Sequence, residues 1–322
     1  MTYMGLNLRN PIVVSSSSMT QSANGVKKCA ENGAGAVVLK SLFEEQIEVD
    51  VGAQQRDVDL SIHPEAQEYI EQMGMRLGPS SYLDLIRESK KAVDIPVIAS
   101  VNCVTAKWWS HYARQIEDAG ADALELNISM MPRSFSDDSA SVEKRFLSII
   151  ETVRKEVGIP LAVKIGPFIS SLPHFASKLA QAGASALVLF NRFYQLDIDT
   201  SAMKLSSGYQ FSSPHEIHLP LRWVSILADN LPIDLAASTG IHDGDAAIKM
   251  ILAGASAVQM CSGLFLHGFA QIGKTLGEIE KWMTASGMKS IDQFRGRLSQ
   301  KESKDPAAYE RFQYIKALTG LA

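Results

Sequence analysis

The residues of this chain that could bind a ligand or move charge stand in one recurring context, at or just past the end of a short apolar run. Ser15 to Ser18 follow NPIVV, Lys40 and Ser41 end VVLKS, Ser100 and Asn102 end PVIASVN, and Asn127 and Ser129 end ELNIS. Lys164 ends PLAVK, Asn191 ends ALVLFN, Ser238 to Gly240 end PIDLAASTG, and Ser262 and Gly263 end AVQMCSG. An ammonium group withdrawn from water is costly unless it is paired. A structural ion pair explains Lys40 or Lys164 alone equally well. Lysines at the ends of two separate runs favour an anionic or electron-rich ligand between them. The small residues of STG (238–240) and CSG (261–263) let backbone N–H groups approach a phosphate, while glycine after a strand is also ordinary turn chemistry.

Such a ring of donors requires strands that end on one rim. Four stretches repeat one another: NGAGAVVLK (32–40), AGADALELN (119–127), AGASALVLFN (182–191) and AGASAVQM (253–260). Each reads as a helix C-cap glycine, an Ala-rich turn and a buried strand, the αβ join of a repeated βα unit. NPIVVS (10–15), PVIAS (96–100), PLAVK (160–164) and PIDLAAS (232–238) supply four more runs, with the little polar alternation expected of strands covered on both faces. Amphipathic stretches lie between them, for example 170–183 and 243–254, each closing on a glycine. The pattern predicts an α/β fold, a TIM (β/α)8 barrel, as one domain over 1–322 with its working residues at the carboxyl ends of the strands. Two connections are longer than a barrel requires: an insertion over 41–94 between the second and third strands, and the stretch from Arg192 to His215. On the C-terminal face such excursions cover a site, and their charges read equally as solvated loop or subunit contact. Residues 301–320 read as one or two short surface helices of a C-terminal extension.

Composition removes several function classes. With 31 basic and 35 acidic residues the net charge is -4, which offers no basic field for a nucleic-acid partner. No segment is long and apolar enough to span a bilayer, and the N-terminus lacks a signal pattern, so a cytoplasmic protein with no membrane partner is expected. Cys29, Cys103 and Cys261 are too scattered for zinc or an iron-sulfur cluster and read as reduced thiols, so any electrons need another carrier. The histidines show no metal-ligand spacing, His215 and His218 being the one close pair, and no metal is expected. Trp108 and Trp109 read as packing or interface, and most methionines as core filler.

MGLNLRNPIVVSSS (4–17), VVLKS (37–41), MG (73–74), ASVN (99–102), ELNIS (125–129), AVKI (162–165), the strand ending at Asn191, STGI (238–241), VQMCSGL (258–264) and SIDQFRGRL (290–298) together resemble the FMN-dependent dihydroorotate dehydrogenases and the related dihydropyrimidine dehydrogenases. The likeness spans nearly the whole chain in order and spacing. It implies a barrel holding FMN at its mouth, with Ser16, Lys40, Ser41, Ser100, Asn127, Lys164 and Ser238 around the cofactor and its phosphate near Gly240, Ser262 and Gly263. It also implies that Lys164 lies by the isoalloxazine, that Lys40 serves flavin and substrate, and that Asn127 and Asn191 contact the substrate.

The chain departs from that pattern at the substrate end. Met130 stands where the family carries a catalytic Cys or Ser, and a thioether is no general base, a role that contributes about 10²- to 10⁴-fold in rate. Pro132 replaces one substrate-binding asparagine and Glu71 another, and Pro214-His215 replace a glycine-bearing stretch near the flavin. Ser134, Ser136, Asp137 or Asp138 could supply a base from the loop after Asn127, although each reads more readily as part of a solvated Ser/Asp-rich loop; Met130 and Met131 could wall the flavin. The expected function is an FMN-dependent oxidoreductase of pyrimidine-type metabolism. It would pass hydride from a dihydropyrimidine-like or related small substrate to flavin, as a homodimer with a possible separate electron-transfer partner. The alternatives are a genuine dihydroorotate dehydrogenase with a replaced base, or a non-catalytic FMN-binding protein.

Overall fold

A computed structural model describes residues 1–47, 79–103, 105, 109–132, 134–192, 195–208 and 210–320. Strands and helices alternate as β1 (Ile12–Val14), α1 (Ala23–Glu31), β2 (Ala36–Val38), α2 (Pro79–Ala92), β3 (Val97–Cys103), α3 (Trp109–Asp118), β4 (Ala123–Ile128), α4 (Ser139–Glu156) and β5 (Leu161–Ile165). They continue as α5 (Leu172–Gln181), β6 (Ala186–Leu189), α6 (His218–Leu227), β7 (Asp234–Ser238), α7 (Gly244–Ala253) and β8 (Ala257–Met260), followed by α8 (Ser262–His267), α9 (Ala270–Ala285) and α10 (Tyr309–Thr319). Every strand pairs in parallel with the next. β8 returns to β1 through Val258↔Ile12, and Val37↔Val97 joins β2 to β3, so the ring closes as the predicted TIM barrel.

The repeated turns work as their sequence suggests. Gly33, Gly120, Gly183 and Gly254 follow their helices at φ between +96° and +120°, a region that penalises any Cβ. Two residues on, the N–H of Gly35, Asp122, Ser185 or Ser256 donates to the carbonyl of Ile12, Val97, Leu161 or Leu235 in the preceding strand, at 2.7 to 3.0 Å. One short sequence thus both stops a helix and sets the register of the strand that follows.

Inside the ring the strands alternate in a way their outer faces conceal. The lowest inward layer is small: Ala36, Ala123, Ala162, Ala186, Ala236 and Ala257 are all buried. The space they leave takes Tyr3, Met4 and Leu8 from the N-terminal segment, where Thr2–Tyr3 and Leu6–Asn7 form a hairpin over a two-residue Met4-Gly5 turn with both φ positive. Burying each of these larger side chains contributes about 1.5–3 kcal/mol. Asp234 anchors the plug by accepting from the Met4 N–H at 2.7 Å.

Helix α2 lies within the stretch predicted as an insertion, so the end of 41–94 is the barrel helix between β2 and β3. The remainder of that stretch includes Glu71 and the MG pair (73–74), which lie outside the described residues. Tyr82 ties α2 to β3, accepting from the Ser100 N–H at 2.7 Å and donating to the Ser100 carbonyl at 2.8 Å; burial holds its phenol protonated well above the usual range. Past β6 the chain forms an exposed antiparallel hairpin, Gln195–Asp199 with Lys204–Gly208. Helix α10 buries none of its side chains, as expected of a surface extension. Trp108 lies outside the described residues, and Trp109 opens α3. Among the described residues no helix is long and apolar enough to cross a membrane.

Candidate active site

Above the alanine layer the inward residues turn polar. Glu125 on β4, Lys164 on β5 and Gln259 on β8 share one level, because the alternation of each strand points them into the barrel. Lys164 Nζ donates to Gln259 Oε1 at 2.9 Å and to Ser15 Oγ at 3.1 Å, and stands 3.8 Å from Glu125 Oε1. Ser15 also donates to Gln259 Oε1 at 3.1 Å, and Gln259 Nε2 donates to Glu125 Oε2 at 2.5 Å. This network floors a cavity of about 290 Å³ at the carboxyl ends of the strands.

The cavity gathers Ser16, Lys40, Ser41, Asn127 and Lys164 on one side, and Asn191, Ser238, Gly240 and Ser262 on the other. Ser16 Oγ meets Ser41 Oγ at 3.0 Å and accepts from the Ser41 N–H at 2.8 Å; Ser41 Oγ in turn meets Ser100 Oγ at 2.7 Å. Ser100 is buried behind this wall and supports Ser41 from outside the lining. Asn127 Oδ1 is buried with no hydrogen-bond partner, which is costly unless a ligand donates to it. The Lys40 ammonium likewise has no ion-pair or hydrogen-bond partner among the described residues.

The far side has the form of an anion cradle. Thr239 and Gly240 adopt φ +78° and +76°, a left-handed pair that is unusual for a β-branched residue. A Cβ on Gly240 would come within 2.4 Å of the Ile217 backbone nitrogen, and one on Gly263 within 3.0 Å of His242 Cα. The Ser212 N–H donates to Ser262 Oγ at 3.0 Å, which leaves the Ser262 hydroxyl proton available to a ligand. Ser212 Oγ meets His242 Nε2 at 3.3 Å; burial pushes the His242 imidazole below its ordinary value, against opposing contributions from Ser212 and Asp243. Arg192 lines the cavity and binds Glu216 through Nε at 2.7 Å and a terminal nitrogen at 3.3 Å. Burial alone would raise the Glu216 carboxyl, but Arg192 and the Ser213 N–H hold it below the usual range.

Several residues singled out in the sequence lie elsewhere. Met130 is half-buried against the hydrophobic core and is not part of the cavity lining, and Met131 is exposed. Ser134 and Ser136 bond each other at 2.6 Å in an exposed turn. Asp137 pairs with Arg145 at 3.3 Å, and Asp138 caps α4 by accepting from the Ser141 N–H at 2.6 Å, which lowers its carboxyl below the ordinary value. Gly263 is not among the lining residues and sits against the His242 backbone. Glu125, Gln259, Arg192 and Ser212 escaped the sequence reading. Strand alternation counted back two residues from Asn127 and from Cys261 would have found Glu125 and Gln259.

The chain matches the family model described as dihydroorotate dehydrogenase over residues 1–283. It is 27% identical over 301 residues to the protein of Methanothermobacter thermautotrophicus named dihydroorotate dehydrogenase B (NAD(+)), catalytic subunit, covering 90% of this chain and 95% of that one. Proteins of the same name from Methanosarcina mazei (27% over 319 residues, 92% and 93% covered) and Methanocaldococcus jannaschii (26% over 287 residues, 85% and 90% covered) are similarly related. With a closed barrel whose strand ends carry the matched motifs, this chain belongs to the dihydroorotate dehydrogenase family of flavin-dependent oxidoreductases acting on CH-CH groups.

Proposed function

We propose that the protein holds FMN in the strand-end cavity and oxidises a small dihydropyrimidine-like or related substrate other than dihydroorotate. The fit to the cofactor rests on the chain's own residues. Gly240 stands where a Cβ has no room and Gly263 where one would be tight, the Ser262 hydroxyl is free to donate, and the orphaned Asn127 carbonyl awaits an N–H. Gly240, Ser262 and the backbone around Gly263 would hold the phosphate, and Lys164 would lie by the ring system, where a cation favours added negative charge. FMN supplies the hydride-accepting chemistry. Asn127 and Asn191 would grip the substrate amides, and Lys40 would meet its electron-rich edge.

The observation that carries the altered substrate is the lining itself. Among its described residues there is no carboxylate or imidazole, Met130 lies outside it, and burial raises the one thiol, Cys261. The described lining offers only serine hydroxyls for that role, and none of them stands at the chain position where the family carries its Cys or Ser. The second reading, ordinary dihydroorotate oxidation with electrons passed to a partner subunit, is favoured by the relatives, which are named catalytic subunits of an NAD(+)-linked enzyme. Visible spectroscopy of the purified protein tests the first step. A flavin spectrum, or a melting temperature raised by added FMN, is expected; a colourless protein indifferent to FMN overturns the proposal. Anaerobic titration with dihydroorotate then separates the two readings, and a homodimer or a co-purifying electron-transfer subunit would appear on size-exclusion chromatography.

A further inference from the structure

On the reading that this cavity holds FMN, we infer that Glu125 is a positioning residue that lowers the cofactor's reduction potential through Lys164, with Gln259 fixing their geometry. Glu125 is 1% exposed and Lys164 7%, so their charges interact with little water between them. At 3.8 Å the carboxylate and ammonium are too far apart to hydrogen-bond, yet close enough for the carboxylate to offset much of the cation's field at the cavity. Gln259 bridges the gap in one sense only. Its NH₂ is taken by Glu125 Oε2, which turns its carbonyl toward two donors, Lys164 and Ser15. A flipped amide would set NH₂ against ammonium and carbonyl against carboxylate.

The arrangement is poorly suited to stability alone. Glu125 Oε1 is buried and accepts no hydrogen bond, a costly state for a carboxylate oxygen. Two of the three Lys164 N–H groups are committed to Ser15 and Gln259, which holds the ammonium at the cavity floor. An uncompensated Lys164 would bind the reduced, more negative cofactor preferentially; Glu125 diminishes that preference, and so holds the potential down.

Redox-dye equilibration of the FMN-loaded protein tests this on wild type, Glu125→Gln and Glu125→Asp. Glu125→Gln is expected to bind reduced FMN about tenfold more tightly relative to oxidised FMN, a rise of about 30 mV for a two-electron couple. Glu125→Asp keeps the charge and is expected to stay near wild type, although both variants melt lower. A second comparison does not require the single Glu125→Gln variant to fold. Lys164→Met leaves a buried carboxylate without a counter-charge, so adding Glu125→Gln to it is expected to raise the melting temperature of the double variant above that of Lys164→Met alone. An unchanged potential in Glu125→Gln, or a double variant no more stable than Lys164→Met, overturns the inference. A wild type that takes up no FMN removes the underlying reading instead, and is seen before any variant is made.

Discussion

On the proposed reading, Met130 takes the proton-accepting position of the family, and the sharpest chemical prediction follows from it. If no group replaces that function, dihydroorotate should bleach the bound flavin slowly or not at all in anaerobic stopped-flow measurements. Met130→Cys alone is expected to recover little, because Pro132 still removes a substrate contact; Met130→Cys with Pro132→Asn is expected to recover more. Rapid bleaching of the wild type would show that another residue supplies the base, and would promote the ordinary dehydrogenase reading. The thiols separate by environment in the same way. Burial pushes Cys29 up to about 12, so at pH 8 it should resist alkylation in the folded protein and react once denaturant is added, as read by peptide mass mapping. Labelling of Cys29 in native protein at the rate of a free thiol would contradict the packing of α1 against the barrel.

At the scale of elements, the same residue type has opposite consequences according to the backbone that carries it. Gly240, at φ +76° with the Ile217 nitrogen 2.4 Å from a would-be Cβ, joins β7 to the cradle. Gly240→Ala is expected to cost at least about 1–3 kcal/mol and to weaken FMN retention, since the turn must open to admit the methyl group. Gly277 sits on the exposed face of α9 with open space around its Cβ position, so Gly277→Ala is expected to stabilise by about 0.4–1 kcal/mol through helix propensity and a less mobile unfolded chain. Chemical denaturation of both variants checks the pair. Equal effects would mean that the turn after β7 is not held as described.

Across the whole molecule, pH should act through the cradle side of the barrel. The His242 imidazole lies below its ordinary value of 6.5 in the folded state, so below 6.5 the unfolded chain binds a proton that the folded chain resists. Stability is therefore complete above about 6.5 and declines as pH falls from there through the lower folded value. Glu216 has the same sign in a more acidic window: its carboxyl is depressed from 4.5 when folded, so its contribution is present above 4.5 and is lost on further acidification. Calorimetry should show a melting temperature lower at pH 5.5 than at 7.5, with a shallower slope in His242→Gln, which keeps a polar group toward Ser212 but does not titrate. An unaltered slope in that variant would assign the pH dependence to other groups.

The barrel and most of its rim were legible in the order of residues alone, because both depend on local rules. Glycine three residues ahead of a strand, at the end of a helix, admits a left-handed turn that few other residues tolerate, and four copies of that turn announce a repeated βα unit. Parallel strands then bring their carboxyl ends to one face, so the sequence alone marks Lys40, Asn127, Lys164, Asn191, Ser238 and Ser262 as neighbours. Closure of the ring decided the rest. Gln259 meets Glu125 across 134 positions of sequence, and Arg192, just past β6, meets Glu216, just ahead of α6, across 24. Ser134, Ser136, Asp137 and Asp138 follow Asn127 closely, but the strand ends at Ile128 and the chain turns outward to cap α4, so nearness in sequence gave no nearness to the cavity. Strand alternation sets which side of the wall a residue occupies; only the closed barrel sets what stands opposite, and the charge on the cavity floor depends on that opposition.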